Sequence, residues 1–195
     1  YVAGQYPMGW LLGQTASISQ GADFSGVFMW VTMTLGMAYT LGGRVSDAVP
    51  LLMQAMEQTP ATRRRALETL FRLSLGEAHL LASRLDEAHA LAERTLALTH
   101  ERRERGYQAY ALRLLGDIAA RREPLERAQA ATYYQQALAL ADELGMRPLV
   151  AHCHHALGRL YGQTGRRASA RAALSAAIAL YRAMDMIFWL PQTEA

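Results

Sequence analysis

Four Leu-Gly pairs, Leu35-Gly36, Leu75-Gly76, Leu115-Gly116 and Leu157-Gly158, recur at spacings of 40, 40 and 42 residues in a chain of 195. A fixed period of roughly 20–50 residues marks a stacked-repeat architecture, in which each unit buries its apolar face only against its neighbours. Around each pair the buried-type residues step by three and four, the spacing of one helix face. Met29, Thr32, Leu35, Gly36 and Tyr39 make the first such face, and Ala151, His154, Leu157, Gly158 and Tyr161 the last. A glycine break follows each (Gly42-Gly43, Gly165). Second helical patterns then begin, with Ala48, Leu52 and Ala55 or Ala170, Leu174 and Ala177 on the inner stripe.

The middle units keep this logic. Leu75, Gly76 and His79 are followed by Ala88, Ala92 and Thr95, and Leu115, Gly116 and Ala119 by Ala130, Tyr134 and Ala137. Ser46 and Asp86 are expected to cap second helices, Gly145 to stop one, and Pro148 to open the next. A longer turn around Arg122-Glu123-Pro124 accounts for the 42-residue step. A glycine in mid-helix costs about 1 kcal/mol against alanine, so four in register need a reason. Close approach of a paired helix supplies it. Ala88, Ala130 and Ala170 are small from the other side, while Leu52, Tyr134 and Leu174 fill the volume around the crossing.

This Leu-Gly, aromatic, Gly-turn, Ala, Leu-or-aromatic, Ala pattern resembles the tetratricopeptide repeat. The resemblance runs from residue 29 to about 184 and implies an all-α, right-handed α-α superhelix, a solenoid of about four helix pairs. The expected organisation is a degenerate N-terminal helix over 1–28, an array over 29–186 with units 29–62, 63–105, 106–147 and 148–186, and a cut capping helix over 187–195. Met8–Ser19 reads as the apolar helix of that N-terminal part, with Gly21-Ala22-Asp23 as its turn. The strings Leu112–Arg122, Leu138–His154 and Met184–Leu190 also look like the C-terminal repeat region of bacterial proteins that join a class III cyclase domain to an AAA-type ATPase. That resemblance implies nucleotide chemistry upstream, in a longer polypeptide of which this chain is a piece.

Composition narrows the function classes. All 20 basic residues are arginine, which removes the lysine of a phosphate-binding loop, a Schiff base or a kinase from this segment. Charge is only +3, with Arg, Asp and Glu interleaved, so nucleic acid is not an expected partner. The single Cys153 excludes an internal disulfide framework and suits a cytoplasmic location. Residues 24–43 carry no charge, yet Ser25, Thr32, Thr34 and Thr40 dilute the run and no basic flank anchors it, so no membrane span is expected.

No catalytic constellation, cofactor or metal is expected. In Ala151-His152-Cys153-His154-His155 only His152 and His155 share a helix face, too few ligands for zinc. His154 falls on the core stripe, and Cys153 has no base in reach. Arg63-Arg64-Arg65 and Arg102, Arg103 and Arg105 read as exposed junctions.

The resemblance also implies where a ligand lies: along the concave face of the first helices. Registered by their glycines, the units place there Trp30, Met33 and Met37; Leu70, Leu73 and Glu77; Tyr110, Arg113, Asp117 and Arg121; and His152, His155, Arg159 and Gln163. The groove is thus apolar at its N-terminal end and polar-basic at its C-terminal end. The expectation is a protein- or peptide-binding regulatory scaffold, able to self-associate through its apolar N-terminus. A small-ligand sensor using either end of the groove as a pocket is the alternative. The lysine/asparagine carboxylate clamp of chaperone-binding members is missing.

Overall fold

The computed structural model describes residues 25–59, 61–122 and 127–194, with side chains placed except at 25–29 and 61–66. Among these residues there are nine α-helices and one short 3-10 turn, and no strand. The helices are α1 (Ser25–Leu41), α2 (Val45–Gln58), α3 (Ala61–Leu81), α4 (Leu85–Arg102), α5 (Arg105–Arg121), α6 (Arg127–Glu143), α7 (Arg147–Gln163), α8 (Arg167–Ala183) and α9 (Leu190–Glu194), with the 3-10 turn at Ile187–Trp189 before α9. The helix expected over Met8–Ser19, its turn at Gly21–Asp23, and the Glu123-Pro124 part of the long turn lie outside the described residues. So do the side chains of Arg63–Arg65. No described helix is long and apolar enough to cross a membrane.

The turns are built alike. Gly43, Ser83, Arg103, Gly145, Gly165 and Asp185 all have positive φ, between 56° and 74°, and they fall 20 or about 40 residues apart. At each, the next residue's N–H reaches back five residues to a helix carbonyl: Arg44 to Tyr39, Arg84 to His79, Glu104 to Thr99, Met146 to Ala141, Arg166 to Tyr161 and Met186 to Tyr181, all at 2.8–2.9 Å. The positive-φ residue itself bonds three residues back, from Gly43 to Thr40 and so on through Asp185 to Arg182. This pair of bonds is the Schellman motif. The 40-residue period therefore divides into two helix-and-turn halves of about 20 residues each.

Only three of the six positions are glycine. A non-glycine residue there costs roughly 1–2 kcal/mol, partly offset because glycine loses more entropy on folding. Ser83→Gly and Arg103→Gly are each expected to raise stability by about 0.5–1 kcal/mol, read as the shift in urea midpoint; a loss at both would contradict the turn geometry.

Ser46 and Asp86, expected as cap residues, lie one residue inside their helices instead. α2 begins at Val45 with Arg44 as its cap residue and no side-chain bond to the helix end, and α4 begins at Leu85. The Schellman turn delivers the chain directly into the next helix, which leaves Ser46 and Asp86 inside the first turn. α2 ends without such a turn, at Thr59, whose ψ of 122° is extended as suits a residue before proline, and α5 likewise ends at an extended Arg122.

Two compact units divide the chain at Leu91/Ala92. In the first, Met33, Leu52, Ala55, Phe71, Leu75 and Ala78 form the core. In the second, Ala109, Leu112, Ala137, Ala141, Leu149, Val150 and Cys153 pack together, and Ala119, Ala130, Tyr134, Leu157, Leu160 and Ala173 form a further cluster. The glycines sit where the helices of a pair cross. A Cβ on Gly36 would lie 2.8 Å from the Leu52 side chain, on Gly116 2.6 Å from the Tyr134 ring, and on Gly158 2.6 Å from Leu174. Those three partners are the large residues the sequence offers for that role.

Candidate functional site

Relative to each glycine, the residues six and three before it and one and five after it form a row along the first helix of its pair. In the first unit, Trp30 is 49% exposed and Met37 is exposed, while Leu70 is half-buried. Met33 and Leu73, expected in the groove, lie in the core at 2% and 7% exposure and present nothing to a ligand. Both are three residues before their glycine, a step that faces the paired helix as much as the row, and an apolar side chain there turns inward.

The second unit carries polar side chains at the same register. Tyr110 is 36% exposed, and Arg121, Arg159 and Gln163 are exposed. Arg113 sits three residues before Gly116, where the first unit buries Met33, and its guanidinium lies 2.6 Å from the Asp117 carboxylate. The other oxygen of Asp117 accepts a 2.8 Å hydrogen bond from the Tyr134 hydroxyl. Burial, together with the neighbouring carboxylate, pushes the Tyr134 pKa far up, so the hydroxyl stays a donor. The charge row is thus tethered to the helix behind it.

The histidine cluster is arranged otherwise than the sequence suggests. His154, expected in the core, is half-buried and lines a recess of about 300 Å³ with Gln135, Leu138, Ala139, Asp142 and Val150. His152 and His155, expected to face a groove, are covered. Nδ1 of His152 and the Tyr181 hydroxyl share a 2.7 Å hydrogen bond, and the Trp189 ring meets the imidazole edge-on at 4.6 Å between centroids. Nδ1 of His155 lies 2.9 Å from Thr193 Oγ1. That hydroxyl gives its proton to the Trp189 carbonyl at 2.8 Å, so His155 is the donor. Tyr181 belongs to α8, while Trp189 and Thr193 come from the segment after it, contacts with no short-range signature in the sequence.

Cys153 is fully buried, and burial pushes its thiol up to about 12, which leaves it an apolar packing group rather than a nucleophile. Among the described residues no group of three or more His, Cys, Asp or Glu could hold a metal ion.

The histidines make stability depend on pH. Burial, with the charge of Arg113 and then of His155 adding to it, lowers His152 to about 4. Burial also lowers His79, His154 and His155; Arg159 adds to the effect at His155 and Asp117 opposes it. Groups with folded pKa values below their unfolded ones bind fewer protons when folded, so their stabilisation is complete above pH 6.5 and is lost as pH falls toward 4. A drop on the order of 2 kcal/mol is expected between pH 7 and 5 from His152 alone. His152→Gln should flatten the urea-midpoint profile across that window; an unchanged slope would show that His152 is not buried neutral.

A tetratricopeptide repeat family model matches residues 151–184, which run from the second turn of α7 through the end of α8. No curated protein matches the chain in sequence. Several solved structures share its fold. BtubC (BKLC) from P. vanneervenii superposes over 93% of this chain and 74% of its own, at 18% identity and a TM-score of 0.69. Kinesin light chain nearly identical TPR-like repeats from Podosopora anserina cover 91% and 87%, at 22% identity and 0.61. Aspartyl phosphate phosphatase F from Bacillus subtilis covers 95% of this chain at 12% identity and 0.75, with this chain spanning 48% of its length. The fold is an all-α, TPR-like helical-repeat solenoid.

Proposed function

We propose that the chain is a protein-interaction scaffold, not an enzyme, and that each unit offers its own first-helix row to a peptide segment of a partner. The supporting observation is the pair of aromatic side chains at one register, Trp30 and Tyr110, that packing leaves exposed in units whose cores are otherwise closed. Exposed aromatics beside arginine are the side chains that most often anchor a protein interface. In the second unit Tyr110 shares the row with Arg121 and Arg159, which suits a segment carrying both an apolar anchor and carboxylates. The resemblance to cyclase–ATPase proteins supports a place downstream of such domains in a cytoplasmic signalling polypeptide. Trp30, Met37 and Leu41, all exposed along α1, support self-association through the first unit.

Selection from a displayed peptide library tests this directly. Tyr110→Ala or Arg159→Glu is expected to weaken a selected peptide by about tenfold or more while moving the melting temperature little. Peptides that bind both variants as well as the unaltered chain would remove the row from the reading. The small-ligand alternative is favoured by one feature, the recess at His154, whose volume is at the low end for small-molecule sites. A metabolite raising the melting temperature in the unaltered chain but not in His154→Ala would establish it.

A further inference from the structure

The α7–α8 pair holds the chain's excess positive charge. From Leu144 to Met184 the sequence has six arginines, three histidines and no Asp or Glu, a charge of +6 against +3 for the whole chain, so the remainder is net acidic. Arg159, Arg166, Arg167 and Arg171 are exposed there. Of these, Arg166 is held in a defined pose. It follows the positive-φ Gly165, its N–H bonds the Tyr161 carbonyl at 2.9 Å, and its guanidinium lies over the Tyr161 ring at 4.2 Å. The first unit repeats each of these features with Gly43, Arg44 and Tyr39, at 2.8 Å and 4.2 Å. There the guanidinium also meets a carboxylate, with Nε of Arg44 donating to Asp47 Oδ2 at 2.8 Å and Nη2 at 2.6 Å. Asp47 lies three residues after its arginine, and the α3–α4 pair keeps an acid at that step, Glu87 after Arg84. In the α7–α8 pair the step holds Ser169, and among the described residues Arg166 meets no carboxylate.

We infer that Arg166, flanked by Arg167 and Arg171, is a docking site for an acidic segment of a partner protein, whose Asp or Glu takes on Arg166 the place that Asp47 takes on Arg44. The ring beneath holds the guanidinium by a cation–π contact, so its Nε/Nη2 edge is presented with less rotamer freedom left to lose on binding. Arg167 and Arg171 lie one turn apart on one face of α8, which suits a second carboxylate in the same segment. Two observations favour a protein segment over nucleic acid. The same position in the first unit binds a carboxylate, and the Tyr161 ring, the aromatic surface on which a base would stack, carries Arg166 on its face. The site lies at the α7–α8 turn and uses neither Tyr110 nor His154, so it goes beyond the first-helix row and the recess.

The experiment uses the full chain and an acetylated octaglutamate peptide, with octaglutamine and an oligothymidylate of equal length as comparisons. Octaglutamate should bind at least about tenfold more tightly at ~20 mM than at ~200 mM salt, and should shift the Arg166 Nε–H resonance. Ser169→Asp restores the carboxylate of the first unit and should weaken the peptide at least about fivefold, as should Arg166→Gln. An acid in the first turn of α8 favours the helix, so Ser169→Asp does not put folding at risk. Ser175→Asp adds the same charge at an exposed position further along α8 and should weaken the peptide less than about twofold. Equal losses in the two aspartate variants would reduce the effect to diffuse charge and overturn the proposal. So would octaglutamine or oligothymidylate binding as tightly as octaglutamate at equal salt, or an Arg166 resonance unmoved at millimolar peptide. Tyr110→Ala should leave the octaglutamate affinity unchanged, which keeps a failed library selection on the row distinct from a failed titration here.

Discussion

Gly158→Leu is expected to destabilise the second unit by some 3 kcal/mol or more, and Gly158→Ala to destabilise it despite the gain in helix propensity. Alanine in place of mid-helix glycine is worth about 1 kcal/mol in an open helix. Here the added Cβ meets Leu174 at 2.6 Å (Cγ) and 2.7 Å (Cδ2), and the backbone nitrogen of Leu174 at 3.2 Å. The leucine side chain has another rotamer to adopt. The backbone atom belongs to α8 and moves only if the helix moves. Overpacking of a closed core costs about 1–3 kcal/mol for a few atoms, which exceeds the propensity gain. Gly116→Ala is a useful contrast, since its nearest atoms all belong to the Tyr134 ring, at 2.6–3.1 Å. That ring is pinned by its hydroxyl bond to Asp117, so it too resists displacement. Urea unfolding of the three variants decides the matter; alanine variants as stable as the unaltered chain would mean the crossings are not where the glycines put them.

The crossings were legible because they combine a period with a chemical necessity: glycine on one helix and Leu52, Tyr134 or Leu174 on the other. The core stripe was legible for the same reason, and Ala48, Ala88 and Ala130 are fully buried where the pattern places them. The turns were legible only where glycine marks them. Ser83, Arg103 and Asp185 adopt the same left-handed backbone with no residue-type signal, because tertiary packing of the flanking helices overrides a local cost of roughly 1–2 kcal/mol. The first-helix row was half legible. Helical register gives a direction, but whether Met33 or Arg113 at that direction turns inward depends on what the paired helix offers, and Met33 finds Leu52 and Phe71. The histidine cluster was least legible. Its environment is made by Trp189 and Thr193, some 38 residues away from His155 in the case of Thr193, and no window around residue 152 contains them.

Asp117→Ala is the second large effect expected, about 2–4 kcal/mol, and it separates structure from recognition within the row. Both carboxylate oxygens are engaged, one by Arg113 at 2.6 Å and the other by the Tyr134 hydroxyl at 2.8 Å. The pair is partly shielded, with side-chain exposures of 20% for Arg113 and 23% for Asp117, and Tyr134 is 3% exposed. Removing the carboxylate leaves a buried hydroxyl without its acceptor, a penalty of about 1–3 kcal/mol, and deprives a half-buried guanidinium of its counter-charge. Asp117→Asn should cost less, because the amide oxygen still accepts from Tyr134 while its amide group faces Arg113 poorly. Tyr134→Phe removes the orphan along with the partner, so Asp117→Ala in that background should cost less than it does alone, with a coupling of about 1 kcal/mol. Additive costs would show that the tyrosine bond carries no weight. A loss under 0.5 kcal/mol for Asp117→Ala alone would return Asp117 to the set of residues free to meet a ligand. The expected loss instead makes it the tether that fixes Arg113.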